Sequence, residues 1–577
     1  MAIFTFDASH SLGRVRAVDT RRVDVQVNSD EDLRKARVGQ LVALALPGAL
    51  EEWLIGVIGK VIKTPLLDEL ADTSGAEDEA AAVPMPRENV LNTVRVTLVG
   101  TVGTTATHQP RFSRSLIQVP EIDASCHVLR DAQLQAFMDL LNREGKTEHS
   151  LTMGKYTIDE SAVAYMDGNK LFQRHASVLG STGSGKSWSV AAILEQANRL
   201  PSANLIVFDL HGEYRSLSYA SHLRVPGPEE LGVQDASLLF LPYWLLNAEE
   251  LQALFIDRSE FSAHNQVMAF QDTVVAEKKL TLEKLKKADV LSAFTLDSPI
   301  PFSITNVIAA LNRLNQEMVP GARGEKKGPF NGEFDRLIPR LNSKTSDKRY
   351  GFLFQAPEPA NAYGAMAELM RRLMDFSQPK SKIKVVDFSE VPAEILPVIV
   401  GLVARIVYQV QFWTDRDKRK PLALVCDEAH LYLPRKDGTN PVEQRAVENF
   451  EKIAKEGRKY GVALLIVSQR PSDVSATILS QCNNVIALRL TNGEDQATVK
   501  RLMPESLEGL MDTLPVLEVG EALVVGDAVL LPSRIRISPP NEKPLSSTID
   551  FWDEWAKKSD APDFVKAVEN MRRQNRA

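Results

Sequence analysis

The sequence predicts an α/β fold, with an α-helical insertion in its core and a small N-terminal β-barrel domain in front of it. Two patterns support this assignment. From about residue 129 onward, apolar strands that end in acidic or polar residues alternate with helices of three-to-four-residue periodicity. Before that point, short Val/Leu/Ile-rich runs are separated by Gly and Pro, which is typical of a small β domain. At 577 residues the chain is too long for one core, so several domains are expected.

The composition narrows the class of protein. Hydrophobic residues make up 44% and charged residues 25%, which are ordinary globular values. The net charge of −7 leaves a DNA partner open, because binding depends on a local basic surface and not on the total. The three cysteines, Cys126, Cys426 and Cys482, form no CxxC pair. This argues against a zinc site or a disulfide framework and fits a reducing cytoplasm.

No segment of the sequence is predicted to enter a membrane. The first residues, MAIFTFDASHSLGRVRAVD, lack the apolar region of a signal peptide. The most membrane-like run is 395–413, but Arg405 lies at its centre and the uninterrupted apolar part is too short to span a bilayer. We therefore predict a buried helix there and a cytoplasmic protein.

Three apolar runs in the first 125 residues are predicted to be strands of the β domain. They are VGQLVALAL, WLIGVIGKVIK and NTVRVTLVGTV. The acidic, Ala/Pro-rich segment 68–89 between the second and third runs is predicted to be a flexible loop.

A phosphate-binding loop is predicted at GSTGSGKS, which matches the pattern GxxxxGK[ST] and stands between an apolar strand and a helix. Glycines let successive backbone N–H groups turn toward phosphates, and the helix N-terminus adds its dipole. Lys186 is expected to reach the β- and γ-phosphates of ATP, and the Ser187 hydroxyl to ligate Mg²⁺. The predicted loop consists of Gly180, Ser181, Thr182, Gly183, Ser184, Gly185, Lys186 and Ser187.

A second apolar strand, LALVC, ends in two acids. Asp427 is expected to hold Mg²⁺ through water, and Glu428 to polarise the attacking water as a general base. Farther along, residues 439–461 are predicted to form a helix with Asn440 as its cap, Pro441 as its first residue and Gly457 at its end. Its predicted apolar face consists of Val447, Phe450, Ile453 and Ala454.

The strand VALLIVSQR follows that helix and ends in Gln469 and Arg470. In P-loop ATPases with an additional strand, a polar residue at this position senses the γ-phosphate, and the Gln469 amide suits that role. Arg458 lies in the turn before the strand, where it is either a nucleotide contact or a surface residue.

The letters DEAH at 427–430 name a large group of helicases, but the spacing argues against that group. Lys186 and Asp427 are 241 residues apart, much farther than the corresponding motifs of DEAH-box helicases. SQRPSDV stands in place of the Ser-Ala-Thr type motif, and a Gln…Gly-Arg…Gly-Arg motif is not found. His430 is therefore interpreted as a neighbour of the site.

The long interval holds two more strands that end in acids. NLIVFDLHGEY places Asp209 and Glu213 after one strand, and KIKVVDFSEVP forms the other. About 130 residues of mostly helical pattern lie between them, including a helix capped by NAEE. This arrangement predicts a RecA-like P-loop ATPase core with an α-helical insertion.

Taken together, these motifs resemble those of the HerA family, bacterial members included, which are P-loop DNA-translocating ATPases of the HerA/FtsK group. The resemblance rests on FDLHGEY, VVDFSEVP, CDEAHLYLP, EGRKYG and VSQRPSDV, with RH before GSTGSGKS. It covers roughly 130–540 and extends to the N-terminal β domain, which resembles that family's small barrel.

The resemblance implies a homohexamer, with ATP bound between subunits and double-stranded DNA through a central pore. It makes Arg174 a candidate arginine finger and Arg458 a sensor on the same site, since a delocalised cation stabilises charge on a transferring phosphate. It leaves open which arginine acts in trans, and whether Asp209 and Glu213 serve the site water or only the loop.

The predicted domains follow from these assignments. They are the β-barrel at 1–128, the first part of the core at 129–222, the helical insertion at 223–378, the second part of the core at 379–540 and a C-terminal extension at 541–577.

DNA contacts are expected on basic loops, because a translocase holds the phosphate backbone without reading bases. LPRKDGTN, with Arg435 and Lys436, and NSKTSDKRYG are the two candidate loops, although either could be a plain solvated loop. The basic end of the tail could brace a neighbouring chain or fray.

Two functional hypotheses follow from the resemblance. The first is a duplex-DNA motor that works with a separate effector, either a nuclease or a sirtuin-like NAD hydrolase, in DNA-end processing or antiviral defence. The sequence shows no nuclease or NAD-site signature, so that effector would be a separate polypeptide. It would dock on the N-terminal barrel, since the ATPase core would be occupied with ring contacts. The second is a ring-forming ATP-dependent scaffold that activates an effector and barely moves DNA.

Overall fold

The structure is a computed structural model, and it describes most of the chain. The described residues are 3–46, 52–66, 89–104, 109–116, 118–321, 324–378, 380–435, 441–504, 507–546, 550–557 and 564–573. The chain divides into two compact units, one comprising 1–189 and 483–539 and the other 190–482 and 540–577. The predicted acidic loop 68–89 lies outside the described residues except for Asn89.

The secondary structure mixes strands and helices along the whole chain. The strands are β1 Ser11–Asp19, β2 Arg22–Val27, β3 Leu41–Ala45, β4 Trp53–Leu66, β5 Asn89–Thr104, β6 Pro110–Ser113, β7 Ser125–Val128, β8 Ser150–Tyr156, β9 Asp159–Asp167, β10 Ala176–Leu179, β11 Leu205–Asp209, β12 Ser221–Arg224, β13 Met318–Gly321, β14 Gly324–Lys327, β15 Ile383–Asp387, β16 Leu422–Cys426, β17 Val462–Ser468, β18 Asn484–Leu488, β19 Glu521–Val525 and β20 Ser533–Ile537. The helices are α1 Asp30–Leu33, α2 Asp131–Gly145, α3 Gly168–Gln173, α4 Lys186–Asn198, α5 Ala248–Phe255, α6 Ala263–Lys284, α7 Ala288–Leu291, α8 Ile304–Gln316, α9 Leu337–Ser346, α10 Gly351–Phe354, α11 Ala365–Met374, α12 Leu396–Trp413, α13 Pro441–Glu456, α14 Ala476–Ser480, α15 Gly493–Leu502, α16 Glu508–Met511, α17 Phe551–Ala556 and α18 Phe564–Arg573.

Six strands of the first unit close into an antiparallel barrel. Their order is β2-β1-β7-β3-β4-β5, and the pairing of β5 with β2 closes the ring, while β6 extends from β5. Alternate residues of β2 point into a core of Val, Leu and Ile side chains, as a strand with one buried face requires. The predicted small β-barrel is therefore confirmed.

The first unit also contains the strand that leads into the P-loop. β10 pairs in parallel with β18, and β18 continues through β19, β20, β8 and β9 in an antiparallel arrangement. The four antiparallel strands β19, β20, β8 and β9 were not anticipated in the sequence, because their apolar runs are short and carry no motif.

The second unit contains a parallel sheet in the order β12-β15-β11-β16-β17. Every residue of β11, β15, β16 and β17 is buried, which explains why they read as continuous apolar runs and not as alternating ones. Helix α13 begins at Pro441 as predicted, and its predicted apolar face (Val447, Phe450, Ile453, Ala454) is buried. Its predicted cap, Asn440, lies outside the described residues.

The predicted helical insertion is present and mostly α-helical. Helix α5 begins with the predicted capping box, in which Asn247 and Glu250 bond each other's backbone N–H groups. An exposed hairpin, β13–β14, interrupts the helices and was not predicted.

Helix α12 is the membrane-like run of the sequence. By length and composition it could cross a bilayer, yet 72% of it is buried inside the protein, in agreement with the predicted buried helix. Arg405 at its centre donates to both carboxylate oxygens of Glu250 at 2.8 and 2.7 Å and to the Leu245 carbonyl at 2.8 Å. The charge is therefore paired within the fold.

Candidate functional site

The P-loop follows β10 in a conformation that depends on its glycines. Gly183 and Gly185 have φ angles of +71° and +107°, a region that disfavours side chains. A Cβ on Gly180 would lie 2.6 Å from Ser184 Oγ and 2.8 Å from Leu488 Cβ, so the loop admits only glycine there. These constraints place successive backbone N–H groups of the loop at the N-terminus of α4.

The side chains of the loop fit a bound phosphate and its cation. Lys186 is buried and its Nζ donates to the Ser181 carbonyl at 3.2 Å, which holds the ammonium over the loop. Ser184 is fully buried, and its hydroxyl has no hydrogen-bond partner among the described residues. Ser187 follows Lys186 in the first turn of α4, where a hydroxyl suits Mg²⁺. The structure thus places Lys186 and Ser187 together at the N-terminus of α4.

In the second unit, the carboxyl ends of four parallel strands carry polar side chains. β11 ends in Asp209 and β15 in Asp387, which are partners in the ladder. Asp427 directly follows β16, whose last residue, Cys426, pairs with Phe208, the residue before Asp209. Gln469 directly follows β17. The register therefore brings the predicted acids and the predicted amide to one edge of the sheet.

Asp427 lies at the centre of a buried carboxylate cluster and is only 4% exposed. Burial, followed by the charges of Glu428, Glu213 and Asp209, raises the pKa of the Asp427 carboxyl well above its ordinary value. Among the described residues, no set of three or more Asp, Glu, His or Cys side chains forms a metal cage.

Glu428 adopts a left-handed backbone conformation (φ +46°, ψ +43°), which costs a side-chain-bearing residue about 1–3 kcal/mol. The Gln469 amide donates to its Oε1. Its Oε2 is buried, accepts no hydrogen bond from a described residue, and lies 3.4 Å from Nδ1 of His430. In this strained turn, the Glu428 carboxylate has its Oε1 hydrogen-bonded to Gln469, while its Oε2 accepts no hydrogen bond from a described residue.

Asp209 organises the loop that follows β11. Its carboxylate accepts the backbone N–H groups of His211, Glu213 and Tyr214 at 3.2, 3.0 and 3.0 Å. Burial raises the pKa of Asp209, and the Tyr214 N–H opposes that rise. Of the two roles left open for Asp209, the structure shows the loop role directly.

The two predicted arginines are not brought to these sites within one chain. Arg458 lies in the 3-10 turn Gly457–Tyr460 before β17, so the seven residues of that strand place it about 23 Å from Gln469. Arg174 ends α3 before β10, at the end of that strand opposite the P-loop, and its guanidinium lies 3.5 Å from Asp527. Both arginines are exposed.

The same parallel sheet has a basic edge opposite its acidic one. Lys382, Lys420 and Lys459 precede β15, β16 and β17 respectively, while acids or an amide follow the same strands. Lys420, Lys459 and Arg458 are exposed. In this sheet, lysines therefore lie at the amino ends of three parallel strands, and acids or an amide lie at their carboxyl ends.

The predicted DNA-contact loops fare differently. Arg435 is exposed and its backbone N–H donates to the Asp473 carbonyl at 2.9 Å, whereas Lys436 lies outside the described residues. The expectation that NSKTSDKRYG is a loop was wrong: its first half is the end of α9, and Lys348–Tyr350 forms a 3-10 turn. In the tail, 564–573 is the exposed helix α18.

Sequence reasoning missed two buried tyrosines and the contact made by His430. Burial, then the nearby carboxylates, raises the pKa of Tyr214, and burial likewise raises that of Tyr432. Both follow within five residues of an acid that ends a strand, which was the only available signal. His430 also lies 3.5 Å from Ser468 Oγ, so it contacts the site directly.

Comparison with known families identifies two matches, which overlap at residues 385–407. Residues 151–407 match the family described as Helicase HerA, central domain. Residues 385–556 match the family described as Helicase HerA-like C-terminal. Together they span the P-loop, the carboxylate cluster and both arginines.

Curated relatives bear similar names. The DNA double-strand break repair helicase HerA of Saccharolobus solfataricus is 26% identical over 68% of this chain and 70% of its own length. The probable helicase MJ1565 of Methanocaldococcus jannaschii is 23% identical over 72% of this chain and 71% of its own.

Among solved structures, the bacterial conjugative coupling protein TrwBdeltaN70 aligns with a TM-score of 0.44 and 12% identity, over 71% of this chain and 93% of that one. VirB4 of Thermoanaerobacter pseudethanolicus aligns with a TM-score of 0.43 and 16% identity, over 68% of this chain and 97% of that one.

Proposed function

The chain belongs to the HerA helicase family, and we propose that it is an ATP-hydrolysing motor that translocates duplex DNA as a ring of six copies. The observation that carries the proposal is the placement of the two arginines. Arg174 precedes β10, whose other end leads into the P-loop, and Arg458 precedes β17, whose other end lies at the carboxylate cluster. A chain built in this way completes its catalytic site only with a neighbour.

The P-loop, Gly180–Ser187, is proposed to hold the phosphates of ATP through its backbone N–H groups, with Lys186 on the β- and γ-phosphates. Ser187 and Asp427 would hold Mg²⁺, the latter through water. When bound, Mg²⁺ neutralises charge on the phosphate oxygens.

Glu428 is proposed to accept a proton from the water that attacks the γ-phosphorus. Its buried Oε2 suits a base, because it accepts no hydrogen bond from a described residue, and its polar neighbour His430 Nδ1 lies 3.4 Å away. Gln469 holds the other oxygen and thereby fixes the direction of the carboxylate. Glu213, beside this cluster, is a candidate contact for the same water.

Arg458 and Arg174 are proposed to act in trans on the ATP of a neighbouring copy, where a guanidinium stabilises charge on the transferring phosphoryl group. The basic edge with Lys420 and Lys459 supports a head-to-tail arrangement, since it complements the acidic edge of the next copy. Head-to-tail contacts that repeat by a closing rotation generate rings.

DNA and an effector complete the proposal. The Saccharolobus solfataricus relative is named a DNA double-strand break repair helicase, and duplex DNA is proposed as the track of this chain, with Arg435 as one phosphate contact. A separate nuclease or sirtuin-like NAD hydrolase is proposed to dock on the β-barrel, in DNA-end processing or antiviral defence in the cytoplasm. Deletion of the first 125 residues should abolish effector binding, and full retention would contradict that docking site.

Mixing two impaired variants tests the shared site. Glu428→Gln chains keep Arg458, and Arg458→Ala chains keep Glu428, so mixed assemblies contain complete sites only if Arg458 acts in trans. We expect each variant alone to hydrolyse ATP much more slowly than the wild type, with a residual rate measurable by single turnover, and the mixture to regain ATP turnover. A mixture that stays as slow as the variants alone, although mass measurement shows mixed assemblies, would refute the trans role.

The stimulation of turnover by linear duplex DNA tests the motor itself. A hexamer whose turnover rises with duplex DNA agrees with translocation. A hexamer with slow turnover that is indifferent to DNA, even with an effector present, would favour the ATP-dependent scaffold instead.

A further inference from the structure

Arg419 lies in the segment between α12 and β16, and its guanidinium caps the end of α12. Its Nε donates to the Gln411 carbonyl at 2.9 Å, and its Nη2 donates to the Thr414 carbonyl at 2.9 Å, with the Phe412 carbonyl 3.5 Å away. The last carbonyls of a helix lack partners within the helix, so a forked cation at this place satisfies several of them at once.

The other side of the same guanidinium reaches the turn that carries Arg458. Its Nη1 lies 3.4 Å from the carbonyl oxygen of Lys459, the residue after Arg458. Its central carbon lies 5.1 Å from the ring centroid of Tyr460, in the same turn. Tyr460 in turn packs against Phe412, with ring centroids 5.1 Å apart. One side chain therefore ties this turn to the end of α12.

Glycines bound the turn on both sides, and glycine leaves the backbone more conformational freedom than any other residue. Gly461 has a φ of +74°, and a Cβ on Gly457 would lie 2.6 Å from the Val462 carbonyl oxygen. The Arg458 side chain makes no hydrogen bond or ion pair with the described part of the chain. Its position within its own subunit is therefore set by the backbone of the turn.

We propose that Arg419 is a positioning residue that holds the Arg458 turn against α12, so that the Arg458 guanidinium meets the phosphate of the neighbouring copy in a fixed place. The inference rests on the proposed trans role of Arg458. Displacing a catalytic group by about 1 Å can cost roughly 100-fold in rate, so a loose turn would slow the chemistry while leaving ATP binding intact.

Arg419→Ala and Arg419→Lys test the proposal against Arg416→Ala. Arg416 is exposed in the same segment, so Arg416→Ala removes the same positive charge but none of the contacts described above. We expect both Arg419 variants to lower kcat by about 10- to 100-fold with unchanged KM for ATP and unchanged assembly mass. Arg416→Ala should behave as the wild type.

Arg419→Lys guards against simple unfolding, because an ammonium keeps the charge at the end of α12 but cannot span to the turn at the same time. A folded Arg419→Lys chain with full kcat would overturn the proposal. Equal losses of kcat in Arg419→Lys and Arg416→Ala would also overturn it.

A double-variant cycle measured by single turnover separates positioning from a general effect. If Arg419 acts through Arg458, then Arg419→Ala lowers the rate no further in an Arg458→Ala background. A further tenfold loss in that background would overturn the proposal. If Arg458→Ala alone kept the wild-type rate, the trans role in the proposed function would fail; if only Arg419→Ala kept it, the positioning role alone would fail.

Discussion

The buried ion pair between Arg405 and Glu250 supports a sharp prediction about stability. The two side chains are 9% and 2% exposed, and Arg405 also binds the Leu245 carbonyl and Gln409. Asn449 of α13 donates to Glu250 at 3.2 Å, so the pair joins α5, α12 and α13. Arg405→Ala removes the charge that allows Glu250 to be buried.

The magnitude follows from what remains after the substitution. An uncompensated buried carboxylate costs about 3–5 kcal/mol when its partner is removed. An exposed pair contributes only about 0–1 kcal/mol. We therefore expect Arg405→Ala to lose roughly 4 kcal/mol and on the order of 10 °C in the unfolding midpoint of the second unit.

Urea unfolding followed by circular dichroism measures this loss. Arg371→Ala is the matched control, because Arg371 is 61% exposed and pairs with the exposed Glu368. The double variant Arg405→Met/Glu250→Gln should regain about 2 kcal/mol over Arg405→Met, since the glutamine removes the orphaned charge and keeps an acceptor for Asn247.

Two results would refute this reasoning. One is an Arg405→Ala chain within about 1 kcal/mol of the Arg371→Ala control. The other is a double variant that is no more stable than Arg405→Met alone. Either would mean that the Glu250 charge is compensated by other groups.

Three further predictions concern the site and the pH dependence of stability. Glu428→Gln should lower ATP turnover by about 100- to 10,000-fold and retain binding of a fluorescent ATP analogue; equal loss of both would contradict the role of the base. Gly183→Val should weaken nucleotide binding at least tenfold, whereas Gly324→Val, also at positive φ and with nothing within 4 Å but in the β13–β14 hairpin, should bind normally. Burial lowers the pKa of Lys384 from 10.5 to about 8, so between these values the unfolded chain binds more protons and stability should rise with pH. That rise should be smaller in Lys384→Met by chemical denaturation at pH 7.5 and 9.5, and an equal rise would contradict the assignment.

The parts of the site that the sequence predicted are those with short-range signals. The P-loop and Asp427–Glu428 directly follow short apolar strands, and the chain order alone places each at a strand end. Helix α13 was likewise predicted from local signals, namely Pro441 at its start and its apolar face. Nothing distant was needed to recognise these elements.

Other features depended on contacts between distant residues or on weak patterns. Helix α9 was mistaken for a loop because it buries only Leu337, Ile338 and Leu341, and its second half is polar. The β13–β14 hairpin exposes both faces of β14 and so has no apolar alternation. The pairing of Arg405 with Glu250 spans 155 residues and has no local signature.

One point that the sequence analysis left open, whether Arg458 acts within its own chain or on a neighbour, can be narrowed from the order of the residues. Arg458 precedes its strand, and parallel strands put their beginnings at one edge and their ends at the other. An arginine before β17 therefore could not share an edge with Gln469 after it. The opposite placement was implied by the order of the residues.

The two-edged sheet has a consequence for when the proposed motor consumes fuel. A solitary chain holds Arg458 at the end of the strands away from its own Asp427 and Glu428, so by this proposal it would not hydrolyse ATP at any ATP concentration. ATP turnover per chain would then rise steeply with protein concentration, and newly made chains would hydrolyse no ATP before they assemble. Dilution alone would switch the activity off, with no inhibitor and no chemical modification required.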